Sequence, residues 1–343
     1  MTGASSLVRL GVSLSNEVPV AQTVALAQAA EELSFSEAWL PESRHGRGVF
    51  TVAAQVAART SRLGIGIGVV NPFWRHPSAI AMEAAALDEA SDGRARLGLG
   101  AALWTLRALG EDDPRTRRPL AAMTEALQIV RAMLAGGSSL GPWPAPTVFT
   151  ARPDTHLDFP VRRQLPLYVG AVNAKMLATS GALADGVQLG AITSPGYVRW
   201  AREQVAAGAR AAGRDPATLD LAANVLISVD HDAEAARDAT RDVLAYYLHR
   251  VEGVVVDTAG ADPGQVASVR RAVREEGLAA GARAVTRHLI DVFAAAGDPD
   301  QVTARLGEYS AAGLQGVLAW HVFGPEPRKG LELLAREVAP RLW

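Results

Sequence analysis

Short apolar runs alternate with longer amphipathic segments along most of the chain. Brief apolar runs bounded by Gly, Pro or polar residues are typical of buried strands, whereas apolar residues spaced by three and four positions predict helices. On this basis strands are predicted over residues 8–14, 36–40, 63–70, 95–100, 165–170, 186–190, 221–229 and 316–320. Each predicted strand is followed by at least one helical segment.

This repeating order favours an α/β fold, a (β/α)8 TIM barrel whose functional residues lie at the carboxyl ends of the strands. A doubly wound open sheet is the alternative, but at 343 residues that fold would more often divide into two domains. We therefore predict one barrel domain over 1–343 with two inserted segments. The first, at about 136–165, is rich in Pro and is predicted to contain a hairpin around 147–159. The second, at about 241–290, is predicted to be helical.

Composition and charge narrow the partner class to small molecules or peptides. Lys and Arg number 34 and Asp and Glu 36, so the net charge is −2 and gives no support for a nucleic-acid or anionic-membrane surface. The absence of Cys rules out disulfides and thiolate metal sites and fits a reducing compartment. No apolar run reaches the length of a membrane span or of a signal peptide, and we expect a cytoplasmic protein.

The third predicted strand and its exit carry the most chemical information. The sequence LGIGIGVVNPFWRHP, residues 63–77, alternates Gly with aliphatic residues and then stops at Asn71 and Pro72. Glycines in a strand are typical of a bend or of a close approach by a ligand. Arg75 and His76 follow the strand end, where contact with a ligand is one interpretation. Capping of the next helix and pairing with a carboxylate is the other, and it is favoured for His76.

Three segments together resemble the bacterial luciferase-like superfamily. They are GVVNPFWRHPSAIAMEAAALDEASDGRARLGLG (68–100), LPLYVGAVNAKMLATSGALADGVQLG (165–190) and GDPDQVTARLGEYSAAGLQGVLAW (297–320). Within that superfamily they are similar to the branch that uses the deazaflavin coenzyme F420 and includes methylene-tetrahydromethanopterin reductase. The resemblance covers nearly the whole chain and implies F420 as cofactor, with FMN as the alternative.

The resemblance also implies which residues bind the cofactor. A bulge with a non-prolyl cis peptide, falling here at Gly68-Val69, would support the back of the tricyclic ring. The cofactor phosphate would lie at the ends of the fifth and sixth strands, where a helix N-terminus offers free N–H groups. The residues implied are Ser13, Gly68, Val69, Val70, Asn71, Gly100, Ala101, Gly170, Ala171, Val172, Asn173, Gly190, Ala191 and Ile192.

The chain departs from the dehydrogenases of this branch at the positions of their acid and base residues. Where they have an Asp-His pair after the second strand, this sequence has Glu42 and Ser43, and where they have Glu after the fourth strand it has Ala101 to Leu103. We expect hydride transfer between F420 and an activated C=C or C=N bond, including those of dehydroamino acids in modified peptides. Glu42 and His45 are the expected catalytic residues, with Glu42 as the first choice of proton donor. Ser43, Leu103, Trp104, Trp320 and His321 are expected to line the substrate pocket.

Two other functions are consistent with the sequence. One is a reduced-FMN monooxygenase of the same fold, and the other is a non-catalytic barrel that acts as a binding or partner subunit. No His, Asp and Glu spacing suits a metal ion, and we predict no metal site. The Ala-rich faces of the first and third helices predict a homodimer.

Overall fold

The computed structural model describes residues 9–43, 46–103, 114–138, 147–150, 152, 154–162, 164–190 and 192–342. Parallel strands in this part of the chain form one sheet. They are β1 (Arg9–Ser13), β2 (Glu37–Leu40), β3 (Gly64–Val70), β4 (Ala95–Leu99), β5 (Leu167–Gly170), β6 (Gly186–Leu189), β7 (Asp220–Val229), β8 (Ala294–Gly297) and β9 (Gly316–Phe323). Strands β1 to β7 and β9 pair in a closed ring, since β6 bonds to β7 and β9 bonds to both β7 and β1. The predicted eight-stranded α/β barrel is confirmed.

Helices surround the barrel, and their apolar side chains pack against the outer face of the sheet. In the described residues the α-helices are α1 (Val20–Glu32), α2 (Val49–Ala57), α3 (Pro77–Ala90), α4 (Pro119–Leu134), α5 (Ala174–Leu183), α6 (Pro195–Ala211), α7 (Ala233–Asp238), α8 (Arg241–Leu248), α9 (Gly253–Ala259), α10 (Pro263–Glu276), α11 (Leu278–Ala284), α12 (Arg287–Phe293), α13 (Pro299–Ala311) and α14 (Pro327–Leu333). In the described part of the chain, no helix has the length and apolar character needed to cross a membrane.

The short strand β8 was not predicted. Its sequence AAAG lies just after the second inserted segment, and Ala favours helices over strands. In the fold, Ala294 to Gly297 pair with Leu226 to Val229, the far half of the ten-residue strand β7. Leu226 is paired on both sides, with Ala294 and with Trp320, so β8 extends the sheet beyond the end of β6. Tertiary pairing therefore overrides local helix propensity here.

The predicted hairpin around 147–159 is wrong in the residues that the structure describes, which contain no strand between 147 and 162. Residues 147–150 instead bend around Glu125 of α4, whose carboxylate accepts the N–H groups of Thr147, Val148 and Phe149. Further along, Arg162 forms two bonds to Asp88 of α3, at 2.7 and 2.8 Å. The first insertion is thus fastened to the outside of the barrel wall at both places.

Glycines and large side chains alternate around the inside of the barrel. Trp39 faces Gly66, where an added Cβ would lie 2.1 Å from the indole ring, and Tyr168 faces Gly186, where the distance would be 2.3 Å. At Gly68 a Cβ would lie 2.3 Å from Gln188 Oε1 and 2.6 Å from Trp39 Cε3. Side chains from neighbouring strands therefore fill the space opposite these glycines. The expectation that the glycines of β3 leave room for a ligand is wrong for the barrel interior.

Charged residues close the N-terminal end of the barrel. Glu37, 1% exposed, lies 3.2 Å from Arg96 Nη1 and 3.6 Å from Arg9 Nε. Arg9 also pairs with Asp220, which accepts the hydroxyl of Tyr168. Burial raises the pKa of Tyr168, and Asp220 raises it further, so the phenol remains a donor. Two positive and two negative side chains thus balance one another at this end of the barrel.

Candidate active site

The carboxyl ends of the parallel strands form the opposite opening of the barrel, which we call the mouth. Side chains differ between its two halves. On β1 and β9, Ser13 pairs in register with Trp320, and the Trp320 ring packs on Tyr247 with 4.7 Å between centroids. At the ends of β4, β5 and β6 lie Gly100, Gly170 and Gly190. Among the described residues, an added Cβ at Gly190 would meet no atom within 4 Å, and we call this side of the mouth its open half.

A bulge at the end of β3 projects into the open half. The register between β3 and β4 shifts between Gly68 and Val70, and the Gly68-Val69 peptide is cis, as the family resemblance implied. Val69 is half-buried, and its methyl groups approach the glycines of the next two strands. A Cβ at Gly100 would lie 2.3 Å from Val69 Cγ2, and one at Gly170 would lie 2.7 Å from Val69 Cγ1. The structure thus brings together Val69, Gly100 and Gly170, three of the predicted cofactor residues.

Asn71 stabilises the exit of the bulge. Its side-chain N–H donates to the Ala101 carbonyl at 2.9 Å, and its Oδ1 accepts the N–H of Phe73 at 2.8 Å. The side chain is therefore used to join the loops after β3 and β4. Val70, buried in the core, anchors the same turn through its carbonyl, which accepts the Gly100 N–H at 3.0 Å. These two predicted cofactor residues shape the mouth from behind.

Main-chain donors lie at the end of β5. The segment Gly170 to Asn173 leads into α5, where Asn173 occupies the N-cap but makes no side-chain bond to the first turn. The first N–H groups of the helix are then available for an anion, which the helix dipole also favours. Ala171 is buried, Val172 is half-buried and Asn173 is exposed, so the segment offers mainly main-chain groups to a ligand.

Two buried tyrosines hold the loops after β5 and β6. Tyr197 of α6 donates its hydroxyl to the Val172 carbonyl at 2.9 Å, and Tyr309 of α13 donates to the Thr193 carbonyl at 2.7 Å. Burial raises the pKa of Tyr197, and it raises the pKa of Tyr309 to about 12, so both remain protonated donors at neutral pH. Ile192, predicted as a cofactor residue, is fully buried and contributes only main-chain groups. Ala191 lies outside the described residues.

Glu42 lies beside the bulge but is already bonded. Its carboxylate pairs with Arg75 and accepts the Asn71 N–H at 3.3 Å, and its side chain is 6% exposed. Arg75 also lies 3.2 Å from Glu83 of α3. The pairing of Arg75 with a carboxylate, considered from the sequence, is confirmed. Nothing tests whether Glu42 donates a proton, so that role stays a prediction.

His76 has a structural place. Its Nδ1 accepts the Ser78 N–H at 3.2 Å and caps α3, while Nε2 contacts the Thr150 carbonyl at 2.8 Å. With Nδ1 as the acceptor, the contact to the Thr150 carbonyl places a proton on Nε2. The imidazole therefore joins the start of α3 to residues 147–150.

The predicted substrate residues are only partly described. Ser43 and Leu103 are half-buried beside the loops after β2 and β4, and Trp320 is buried against Tyr247. His45 and Trp104, and the side chain of His321 in β9, lie outside the described part of the chain. Within that part, no group of three or more His, Asp or Glu residues has metal-binding geometry.

Sequence reasoning missed two polar residues beneath the bulge. Gln188 of β6 is 3% exposed, and its Nε2 lies 3.5 Å from Asn224 Oδ1 of β7. The Asn224 carbonyl accepts the Thr193 hydroxyl at 3.0 Å, which connects this pair to the loop after β6. The signal in the sequence was a single Gln within the apolar run GVQLG, at an inward-facing strand position.

Comparison with known proteins places this geometry in a family. The model of luciferase-like monooxygenases matches residues 1–316. The chain belongs to this family. This match confirms the resemblance seen in the sequence. Two relatives also confirm the F420-dependent branch. A 5,10-methylenetetrahydromethanopterin reductase of Methanolobus tindarius is 30% identical over 96% of this chain and 98% of its own. An F420-dependent glucose-6-phosphate dehydrogenase of Beutenbergia cavernae is 29% identical over 98% of both chains.

A solved structure agrees with these relatives. The coenzyme F420-dependent tetrahydromethanopterin reductase of Methanopyrus kandleri superposes with a TM-score of 0.88 at 28% identity, covering 98% of this chain and 99% of the other. An F420-dependent secondary alcohol dehydrogenase, solved with an F420-acetone adduct, superposes with a TM-score of 0.75 at 20% identity, which shows the shared fold alone. The luciferase-like barrel described above thus corresponds over its whole length to that of an F420-dependent enzyme.

Proposed function

We propose that this luciferase-like protein is an F420-dependent oxidoreductase that transfers a hydride between the deazaflavin and an activated C=C or C=N bond of a small molecule or natural-product intermediate. One structural observation supports the proposal most: among the described residues, the mouth has room beside Gly190, on the half where Val69 projects from the bulge towards Gly100 and Gly170. Relatives matched along the whole chain are named for F420 or for a reaction of methylenetetrahydromethanopterin.

The residues present fit the cofactor. Val69 would support one face of the ring, and the main-chain N–H groups of residues 170–173 would hold the phosphate at the N-terminus of α5. An exposed lysine, Lys175, lies in the first turn of that helix, where it suits the anionic tail of F420. When bound, F420 supplies the hydride, and the protein supplies orientation and electrostatics.

Departures from the dehydrogenases support an unsaturated acceptor. Oxidation of an alcohol needs a base to remove the hydroxyl proton. This chain has Glu42 and Ser43 where those enzymes have an Asp-His pair, and the carboxylate of Glu42 is engaged by Arg75. Reduction of a polarised double bond needs only one proton after hydride delivery, from Glu42, His45, His321 or water. Dehydroamino acids in modified peptides fall within this acceptor class.

A reduced-FMN monooxygenase is the second candidate, because the matching family model is that of luciferase-like monooxygenases. Activation of oxygen by flavins uses ring chemistry that a deazaflavin lacks, so the identity of the cofactor separates the two functions. A non-catalytic barrel is the third, and it predicts binding of neither cofactor.

Fluorescence titration of the purified protein with F420 and with FMN tests the proposal. We expect F420 to bind at least tenfold more tightly, a difference of about 1.4 kcal/mol, because its anionic tail adds contacts that FMN lacks. Equal affinities, or tighter binding of FMN, would contradict it. Oxidation of F420H2, followed by absorbance with a panel of enones, imines and dehydroamino acids, would then identify the acceptor class.

A further inference from the structure

Glu42 contacts the bulge through both its main chain and its side chain. Its N–H donates to the Val69 carbonyl at 3.4 Å, and its Oε2 accepts the Asn71 N–H at 3.3 Å. The two bonds lie on either side of Val70. One residue of the loop after β2 therefore bridges the segment of β3 that leaves the regular ladder.

Arg75 orients the carboxylate that makes the second bond. Its Nη1 pairs with Glu42 Oε1, and its Nε lies 3.2 Å from Glu83 Oε2, so the guanidinium joins two carboxylates. It also lies over the Phe50 ring, 5.8 Å from the centroid. Burial raises the pKa of Glu83, Arg75 opposes the rise and Glu42 adds to it, which shows that the three groups share one electrostatic environment. A planar guanidinium held by two carboxylates and a ring has little freedom to turn.

This arrangement engages both carboxylate oxygens of Glu42, and the side chain is only 6% exposed. Oε1 faces the Arg75 guanidinium and Oε2 faces the Asn71 N–H, and both partners are donors. An ionised carboxylate satisfies two donors, whereas a protonated one would direct its O–H at one of them. The geometry therefore suits an acceptor that organises the main chain.

We propose that Glu42 is a positioning residue that fastens the bulge to β2 and so sets where Val69 stands in the mouth, with Arg75 orienting its carboxylate. The inference rests on the proposed function, since Val69 matters to binding only if the deazaflavin ring lies against it. It assigns Glu42 a role other than proton donation, and it assigns a role to Arg75, which lies outside the expected catalytic pair.

The test compares three variants of the full-length protein. Glu42→Ala removes the side-chain bond to Asn71, Glu42→Gln keeps an oxygen that can accept it, and Glu83→Gln changes the other partner of Arg75 without touching the bulge. We expect Glu42→Ala to weaken F420 binding at least tenfold and to shift the visible absorption spectrum of bound F420. Glu42→Gln should recover affinity to within about threefold of wild type, and Glu83→Gln should stay within twofold.

Amide hydrogen exchange supplies a second measurement that needs no cofactor. The Asn71 N–H should exchange at least tenfold faster in Glu42→Ala than in wild type, with little change in Glu83→Gln. Wild-type affinity and wild-type exchange in Glu42→Ala would overturn the inference, and so would equal losses in Glu42→Gln and Glu42→Ala. Normal F420H2 binding by Glu42→Gln with loss of its oxidation by the wild-type acceptor would restore Glu42 as proton donor. Failure of the wild-type protein to bind F420 contradicts the proposed function instead, and the exchange data then decide the role of Glu42 alone.

Discussion

Replacement of Gly190 by Val tests whether the open half of the mouth is the cofactor site. A Cβ at Gly190 meets no atom of the described residues within 4 Å, so these residues accommodate a side chain there without a clash. Removing a glycine also reduces the entropy of the unfolded chain, which stabilises by about 0.4–1 kcal/mol where the conformation is compatible. We therefore expect the Gly190→Val protein to unfold at or slightly above the wild-type temperature.

Binding should respond in the opposite direction. If F420 occupies this space, two added methyl groups must be accommodated in a filled site, which costs about 1–3 kcal/mol by analogy with overpacked cores. That range corresponds to an affinity loss of about 5- to 150-fold, measured by fluorescence titration. Gly307→Ala is the matched control, since its Cβ also meets no atom within 4 Å but lies on the exposed face of α13. Unchanged F420 affinity in Gly190→Val would refute the location of the site, and a lowered melting temperature would refute the claim of open space.

Three further predictions concern the scaffold. Gly208→Ala in α6 should lower the melting temperature by several degrees, because the added Cβ would lie 1.9 Å from the Ala178 carbonyl of α5. An unchanged melting temperature would show that the two helices can separate freely. Glu125→Ala should speed proteolysis near residues 147–150. Burial acts to raise the pKa of Glu125, but the three N–H donors outweigh burial and lower the pKa. The contact between Glu125 and residues 147–150 should therefore persist above about pH 4.3, the ordinary pKa of Glu, and weaken as the pH falls further. Equal cleavage of Glu125→Ala and wild type at neutral pH would contradict this. Finally, we expect a homodimer through α1 and α3, where Met82 is 49% exposed, and light scattering that gives a mass of 36.0 kDa would count against it.

Periodicity alone predicted the eight barrel strands, because a strand covered on both faces leaves a continuous apolar run. It failed at β8, where AAAG has no β-forming residue and only pairing with β7 makes a strand. It also gave no sign of the bonds from Glu125 that shape residues 147–150, since one carboxylate accepting several N–H groups has no sequence pattern. The bulge was predicted only through the family resemblance, since GVV reads as ordinary strand.

The candidate site, like the fold, was predicted only in part from the sequence. The glycines at the strand ends were evident from the sequence, but their partners were not. Gly68 was interpreted as space for a ligand, whereas Gln188 and Trp39 occupy its inner side, and no local pattern pairs a glycine with residues of other strands. The position of Glu42 after β2 was correct, yet its engagement with Arg75 depends on the turn after β3. The local sequence therefore predicts where a residue lies along a strand, whereas its hydrogen bonds and ion pairs depend on residues of neighbouring strands.

The charged residues at the N-terminal end of the barrel limit how this chain can change over evolution. Arg9, Glu37, Arg96 and Asp220 come from four strands that are far apart in sequence, and each balances another. Loss of an arginine partner leaves the buried charge of Glu37 less compensated, and breaking a buried pair typically costs about 3–5 kcal/mol, whereas joint replacement by apolar residues is often neutral. Substitutions here should therefore become fixed in coupled sets, and positions 9, 37, 96 and 220 should covary among relatives even though they lie at the far end of the barrel from the chemistry.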